Sequence, residues 1–305
     1  MEFAVVGPGA MGCLFAAGLK KAGYGVTVVD YKPDRAAAIS TNGICIEDNS
    51  GEYRVDVPAV TGGEGVQADA VIVCVKSNKT RESIREISSW LDPQTPVLTL
   101  QNGLGNLDII EEVFGRERAL GGVTSEGAVL LGTGHAKHAG KGQTTIGPSG
   151  KSARMIVAAF KDAGFEAYEA DVVENLVWGK LIVNVGINAL TAITGLKNGV
   201  LPGLAGTKSV MEEAVNEAVR VAKKKGIHLP YEDPLGRVLE VCRGTSDNVA
   251  SMLQDILNKR MTEVAFINGA IVREGKKLNI PTPVNRTLTC IVEAMQETYD
   301  IRIHE

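Results

Sequence analysis

Short apolar runs alternate with stretches of helical spacing through the first half of the chain. Phe3 to Val6, Val26 to Val29, Ala70 to Val75 and Pro96 to Leu100 are β-rich and bounded by turn residues, the pattern of strands buried on both faces. Between them, Met11 to Ala22, Lys79 to Trp90 and Leu104 to Phe114 have the length and periodicity of helices. That alternation predicts a parallel sheet with crossover helices. After Gly127 the pattern becomes strand-like with frequent turns, and a helix from Ser152 to Ala163 and a strand from Phe165 to Glu169 finish this region. From Asp171 onward the apolar positions recur at helical spacing: Val172 to Ala192, Lys208 to Lys225, Asp233 to Cys242, Ser251 to Lys259 and Thr262 to Lys277. Breakers fall where caps belong, at Gly195, Gly226, Pro230, Gly244 and Pro281. The expectation is an α/β domain over 1–169 followed by an all-helical domain over 170–305.

Length agrees with two domains, since 305 residues exceed the size at which one core usually keeps growing. A net charge of −4 without a long basic run argues against a nucleic-acid or membrane-surface partner and leaves a small molecule. The five cysteines are scattered and show no CxxC pair or zinc-like spacing, so reduced thiols and no metal are expected. The N-terminus passes from Met1 straight into a strand and a glycine turn, without the regions of a signal peptide, and no uncharged apolar run of about 18 residues suggests a spanning helix. A cytoplasmic location is expected, and oligomeric state stays open, a homodimer included.

Gly7-Pro8-Gly9-Ala10-Met11-Gly12 follows a predicted strand and opens a predicted helix, which is the setting that gives a GxGxxG run meaning. The glycines allow a tight turn and close approach to phosphate, and the free N–H groups of the helix start favour a pyrophosphate. A Rossmann-type dinucleotide-binding domain is therefore expected. Asp30 ends the second strand, where a carboxylate accepts from adenine-ribose hydroxyls and repels a 2′-phosphate. Lys32, Arg35 and Lys76 are near enough in sequence or topology to offset that charge, or else are ordinary surface cations.

Lys180, Asn184 and Asn188 repeat at i, i+4, i+8 and so share one helical face, with about 40° of drift per step. Their neighbours are almost wholly apolar. Polar groups on such a helix need partners, whether a ligand, loop carbonyls, or, for Lys180, solvent reached by its long stem. Trp178, Lys180 and the two asparagines, together with Asn198 in Gly195-Leu196-Lys197-Asn198-Gly199, Ser251 to Asp255, Arg260 to Glu263, and Asn268-Gly269, resemble the ketopantoate reductase family. Val75-Lys76, Gln101-Asn102-Gly103, Glu126-Gly127-Ala128 and His138 to Gly142 match it in the first domain, so the resemblance covers essentially the whole chain. Ala189, Ala250 and Ala265 depart from its pattern.

The resemblance implies reduction of ketopantoate by NAD(P)H in pantothenate and coenzyme A biosynthesis. It implies Lys180 as general acid, Glu263 as its organising partner, and Asn184, Asn188, Asn198 and Ser251 as substrate-binding groups. Asn102 would serve both substrate and cofactor, with Gly7, Pro8, Gly9, Ala10, Met11, Gly12, Asp30, Lys76 and Ala128 on the cofactor side. Bland alternatives exist for single residues: Ser251 as a helix N-cap, Glu263 as a first-turn dipole partner, Asn102 as a turn residue. The family implies NADPH, whereas Asp30 argues that NADH is also used or preferred. The active site is expected between the domains, at the carboxyl edge of the sheet. A dehydrogenase of another 2-hydroxy acid, such as mandelate, is the nearest rival, and an inactive nucleotide-sensing protein a more distant one.

Overall fold

The computed structural model describes residues 1–301, so the last four positions of the expected helical domain, 302–305, lie outside the described residues. The chain forms two compact units, one of 1–101 with 106–173 and one of 102–105 with 174–305.

The first unit is built on an eight-stranded sheet. Its centre is β1 (Glu2–Val6), flanked by β2 (Gly25–Val29) and then, after two strands that leave for a second sheet, β5 (Ala59–Val60) on one side. On the other side lie β6 (Ala70–Val73), β7 (Val97–Thr99) and β8 (Ala119–Thr124), then β11 (Thr144–Gly147) and β12 (Ala167–Glu169). All neighbours are parallel except β8 and β11, which run antiparallel. Val5, Val28, Ile72 and Leu98 are fully buried, which explains why these strands read as apolar runs rather than as alternations. The crossover helices are α1 (Ala10–Lys21), α2 (Pro33–Asn42), α3 (Thr80–Ser88), α4 (Asn106–Phe114) and α5 (Lys151–Asp162). Because the chain moves to opposite sides of β1 after β2 and before β6, the strand order reverses between β1 and β6, the crevice where such sheets bind ligands.

The sequence pattern did not foresee α2 or a second, four-stranded sheet made of β3 (Ile44–Asp48), β4 (Gly51–Val55), β9 (Gly127–Gly132) and β10 (His135–Gly140). In this sheet β3 pairs with β4 antiparallel and with β10 parallel across roughly 90 residues of chain, a partnership no local signal carries. Ile44, Ile46 and Ala136 bury one face of it in the same core as α1.

The second unit is helical: α6 (Val173–Thr194), α7 (Ala205–Lys225), α8 (Pro234–Gly244), α9 (Ser251–Leu257), α10 (Asn268–Lys277) and α11 (Pro283–Glu297). The axis is α6, whose Trp178, Leu181, Ile182, Val185 and Ala189 are buried in one core. It is long and apolar enough to cross a membrane by length and composition, yet 67% of that window is buried inside the protein. The single helix expected from Thr262 to Lys277 is instead a 3-10 turn, Val264–Phe266, followed by α10. The Thr262 hydroxyl accepts from Val264 N, Phe266 gives its carbonyl to Leu104 N at 2.9 Å, and Ile267 leaves helical geometry at φ −107° and ψ −93°. Local helical spacing loses there to these contacts.

Candidate active site

In the first unit the glycine turn follows β1, and its shape is dictated by near neighbours. Gly7 has φ +93°, and a Cβ there would stand 2.6 Å from the Val75 side chain. A Cβ on Gly12 would run into the Gly7 carbonyl oxygen. Gly7 N donates to Val29 O at 2.9 Å and Cys74 N to Val6 O at 2.8 Å, so the turn is fastened to the ends of β2 and β6. Gly9 is the N-cap of α1 and brings no side-chain cap, which leaves the first N–H groups of the helix for an external anion. Pro8, Ala10 and Met11 complete this cradle. Its glycines and open helix start fit a dinucleotide pyrophosphate.

Asp30 is 2% exposed at the end of β2. Both its carboxylate oxygens are engaged by Arg35, Oδ1 by Nη2 at 2.6 Å and Oδ2 by Nε, and Oδ1 also accepts from Lys32 N at 3.2 Å. The hydrogen-bonded Asp30 carboxylate raises the Arg35 guanidinium above its ordinary value. An open pocket of about 480 Å³ lies alongside, lined by Tyr31, Lys32, Pro33, Asp34, Arg35 and Thr133. Lys76 is exposed and begins a 3-10 turn, Ser77–Lys79. A buried polar network holds that turn: Asn106 donates to Ser77 and accepts from Thr80, while Gln101 Nε2 donates to Val75 O at 2.7 Å and to Thr80 Oγ1 at 2.8 Å. Ala128 lies in β9, opposite His138 of β10.

In the second unit Lys180, Asn184 and Asn188 lie on one face of α6, as their spacing predicted. Lys180 is partly buried, and burial pushes its ammonium down to about 8, with the Glu263 carboxylate acting in the opposite direction. Glu263 is 9% exposed and precedes the 3-10 turn, its carbonyl accepting from Phe266 N and Ile267 N. The segment 102–105 is tied to that same turn through the Leu104–Phe266 hydrogen bond and through Gly103, whose φ of +85° and contact with Phe266 leave no room for a side chain. Asn102 is thereby held beside the turn that Glu263 opens. Ser251 is exposed in the first turn of α9, and the N-cap is Ala250, so Ser251 is not the cap. Asn188 is buried, and Asn198 is buried with its Nδ2 on Thr245 Oγ1 at 2.9 Å and its Oδ1 without a partner. Structural bonding thus takes part of Asn198.

A family model described as "Ketopantoate reductase PanE/ApbA" matches residues 3–151, and its C-terminal counterpart matches residues 172–296. The chain belongs to the ketopantoate reductase family. A 2-dehydropantoate 2-reductase of Halobacterium salinarum is 36% identical, over 97% of this chain and 99% of its own. One of Pyrococcus horikoshii is 33% identical, over 97% and 98%. Among solved structures, a PanE/ApbA family ketopantoate reductase from Ralstonia eutropha JMP134 has a TM-score of 0.91 at 32% identity, over 98% of this chain and 99% of that one. D-mandelate dehydrogenase solved with NADH and anilino(oxo)acetate has a TM-score of 0.90 at 29% identity, over 99% and 100%.

Several residues of this ketopantoate reductase family member were given no role by sequence reasoning, some of them though they lie in its matching motifs. Tyr31, 48% exposed, has the cations of Lys32, Arg35 and Lys79 within 6 Å of its ring centre at 5.8, 5.4 and 5.9 Å. Lys79 comes from the loop after β6, and only the sheet order brings it there. Glu126 and His138 form a partly buried pair, Oε2 to Nε2 at 2.5 Å, between the end of β8 and β10. Asp255 is 5% exposed and one helical turn beyond Ser251 on α9, an i, i+4 spacing that was visible but unused.

Proposed function

We propose that this chain is a 2-dehydropantoate 2-reductase, reducing the C2 ketone of ketopantoate to the hydroxyl of pantoate with a reduced nicotinamide dinucleotide. The observation that carries the reading is Lys180 with Glu263: a partly buried ammonium titrating about 8, on the same helical face as two carboxamides. Lys180 is protonated at neutral pH and gives its proton to the carbonyl oxygen, limiting the alkoxide charge that develops there. Glu263 keeps that ammonium charged and oriented. Asn184, Asn188 and Ser251 hydrogen-bond the polar groups of the keto acid, with Asn198 offering its remaining oxygen. Gly7, Pro8, Gly9, Ala10, Met11 and Gly12 hold the dinucleotide pyrophosphate, with Asp30, Lys76, Asn102 and Ala128 on its remaining length. When bound, the dihydronicotinamide supplies the hydride.

The Arg35–Asp30 pair bears on which dinucleotide is used. Arg35 offsets the carboxylate that would repel a 2′-phosphate, and Lys32 and Lys79 stand by, so we propose that both NADH and NADPH are competent. The setting proposed is the cytosol, with a small keto acid as partner; a homodimer is compatible with the reading.

A second reading, oxidation or reduction of another 2-hydroxy or 2-oxo acid, is favoured by the full-length likeness to D-mandelate dehydrogenase. The test is dihydronicotinamide absorbance with a panel of 2-oxo acids, ketopantoate and phenylglyoxylate among them, with each dinucleotide. The expected outcome is the highest kcat/KM on ketopantoate. A higher value on an aromatic oxo acid overturns the substrate, and no turnover on any member overturns the enzyme in favour of a nucleotide-sensing protein.

A further inference from the structure

The four-stranded sheet has one face in the core and one turned away from it. Ile44, Ile46 and Ala136 occupy the core face. Side chains alternate along a strand, so Cys45, Glu47 and His135 belong to the other face. Register then gathers them. Cys45 lies directly opposite His135 across the parallel β3–β10 pair, and Glu52 of β4 lies opposite Glu47, diagonal to Cys45. One donor atom from each of Cys45, Glu52 and His135 lies within 4.8 Å of the other two. Among the described residues this is the one cluster of three or more such donors.

Two further features set it apart from a chance meeting of side chains. Cys45 is only 2% exposed although its strand position faces away from the core, so its side chain is covered rather than open to solvent. His135 Nε2 is buried and stands 2.8 Å from Glu47 Oε1, so a carboxylate at the edge of the cluster orients the imidazole. Thiolate, imidazole and carboxylate are the donors that Zn²⁺ accepts, and tetrahedral coordination with bonds of 2.0–2.3 Å sets donors roughly 3.4–3.6 Å apart. From donors all within 4.8 Å of one another, a contraction of about 1 Å by side-chain rotation reaches that spacing, with the backbones already fixed by two ladders.

We propose that Cys45, Glu52 and His135 form a three-donor binding site for a borderline-soft divalent cation of the Zn²⁺ class, with solvent completing its coordination. The ion enters as the thiol proton is released to water. It clips β3, β4 and β10 together and steadies the β9–β10 turn, whose Thr133 lines the pocket beside Tyr31 and Arg35. The sequence gives no hint of this, because the donors stand at 45, 52 and 135, in no finger-like spacing.

The test uses untagged full-length protein stripped with a chelator and then titrated with Zn²⁺ against a chromophoric chelator. One zinc per chain is expected, with affinity lowered at least about 100-fold in Cys45→Ser and in His135→Gln. Cys290→Ser, which removes the exposed thiol, should leave it unchanged. Zinc should also raise the Tm of the wild type by about 3 °C or more and leave His135→Gln unaffected, a variant whose partly exposed side chain is dispensable for the core. With Co²⁺ a thiolate charge-transfer band should appear in the wild type and vanish in Cys45→Ser. Equal zinc affinity in wild type and both variants, loss of the site in Cys290→Ser, or a cobalt–thiolate band that survives Cys45→Ser overturns the proposal.

Discussion

At the scale of single residues, the proposed chemistry rests on an ammonium made easier to deprotonate by burial. An ordinary lysine titrates near 10.4, whereas Lys180 titrates about 8. Reduction needs the protonated form. Because the shift is downward, that form is lost at lower pH than for an exposed lysine, so kcat/KM for reduction should be level below about 8 and fall roughly tenfold per unit above it. Glu263 acts to raise the Lys180 value, so Glu263→Gln should move the falling limb to lower pH, and an unmoved limb would remove Glu263 from this role. Lys180→Ala should lower kcat by about 10²- to 10⁴-fold while nucleotide affinity, read by fluorescence, stays near wild type. Asp30 and Arg35 should act with opposite signs. Asp30→Ala frees a guanidinium and shifts kcat/KM toward NADPH, whereas Arg35→Ala leaves a bare buried carboxylate and shifts it toward NADH. A wild-type preference for NADPH of a hundredfold or more would show that Lys32 and Lys79 govern the pocket instead.

At the scale of elements, the helical unit is organised by a carboxylate that the sequence pattern hides. Glu217 sits within α7 at 1% exposure and accepts from Val284 N and Asn285 N at 2.9 Å and from Asn285 Nδ2 at 2.8 Å. It therefore meets the start of α11, where unpaired N–H groups and the helix dipole favour negative charge. Asn285 passes the network to Asn268, whose Nδ2 also reaches Val185 O in α6. Glu217→Ala leaves those donors buried and should destabilise the helical unit by about 2–4 kcal/mol. Glu217→Gln should cost less, since one oxygen remains. Denaturant unfolding followed by helical circular dichroism checks both, and an Ala variant as stable as wild type would show that water replaces the carboxylate. In α7 the sequence shows a glutamate at a helical position facing apolar residues; that α11 begins there is knowable only once α7 and α11 are packed.

At the scale of the whole molecule, the two units divide the proposed labour. The glycine turn and Asp30 belong to the first unit, and Lys180, Glu263 and the asparagines to the second. Gly12→Ala should therefore abolish nucleotide binding through the clash with the Gly7 carbonyl, with the helical circular dichroism of the second unit intact. Nucleotide affinity within a few-fold of wild type would contradict the cradle. The second unit also borrows 102–105 from the middle of the first half of the sequence. A hydrophobic pattern cannot show this, because four residues carry no periodicity and their attachment is a main-chain hydrogen bond to Phe266, more than 150 positions away.

Whatever depends on neighbours along the chain was determined by the sequence alone. The buried parallel strands, the glycine turn opening α1, and the shared face of Lys180, Asn184 and Asn188 follow from periods of two and 3.6 residues and from glycine's freedom at Gly7. The tertiary structure decided what depends on partners far apart in sequence. It brought Lys79 to Tyr31, tied Leu104 to Phe266, and broke the expected helix at Val264–Phe266. It also lowered the titration of Lys180, because desolvation is a property of everything packed around an ammonium and no stretch of sequence contains it.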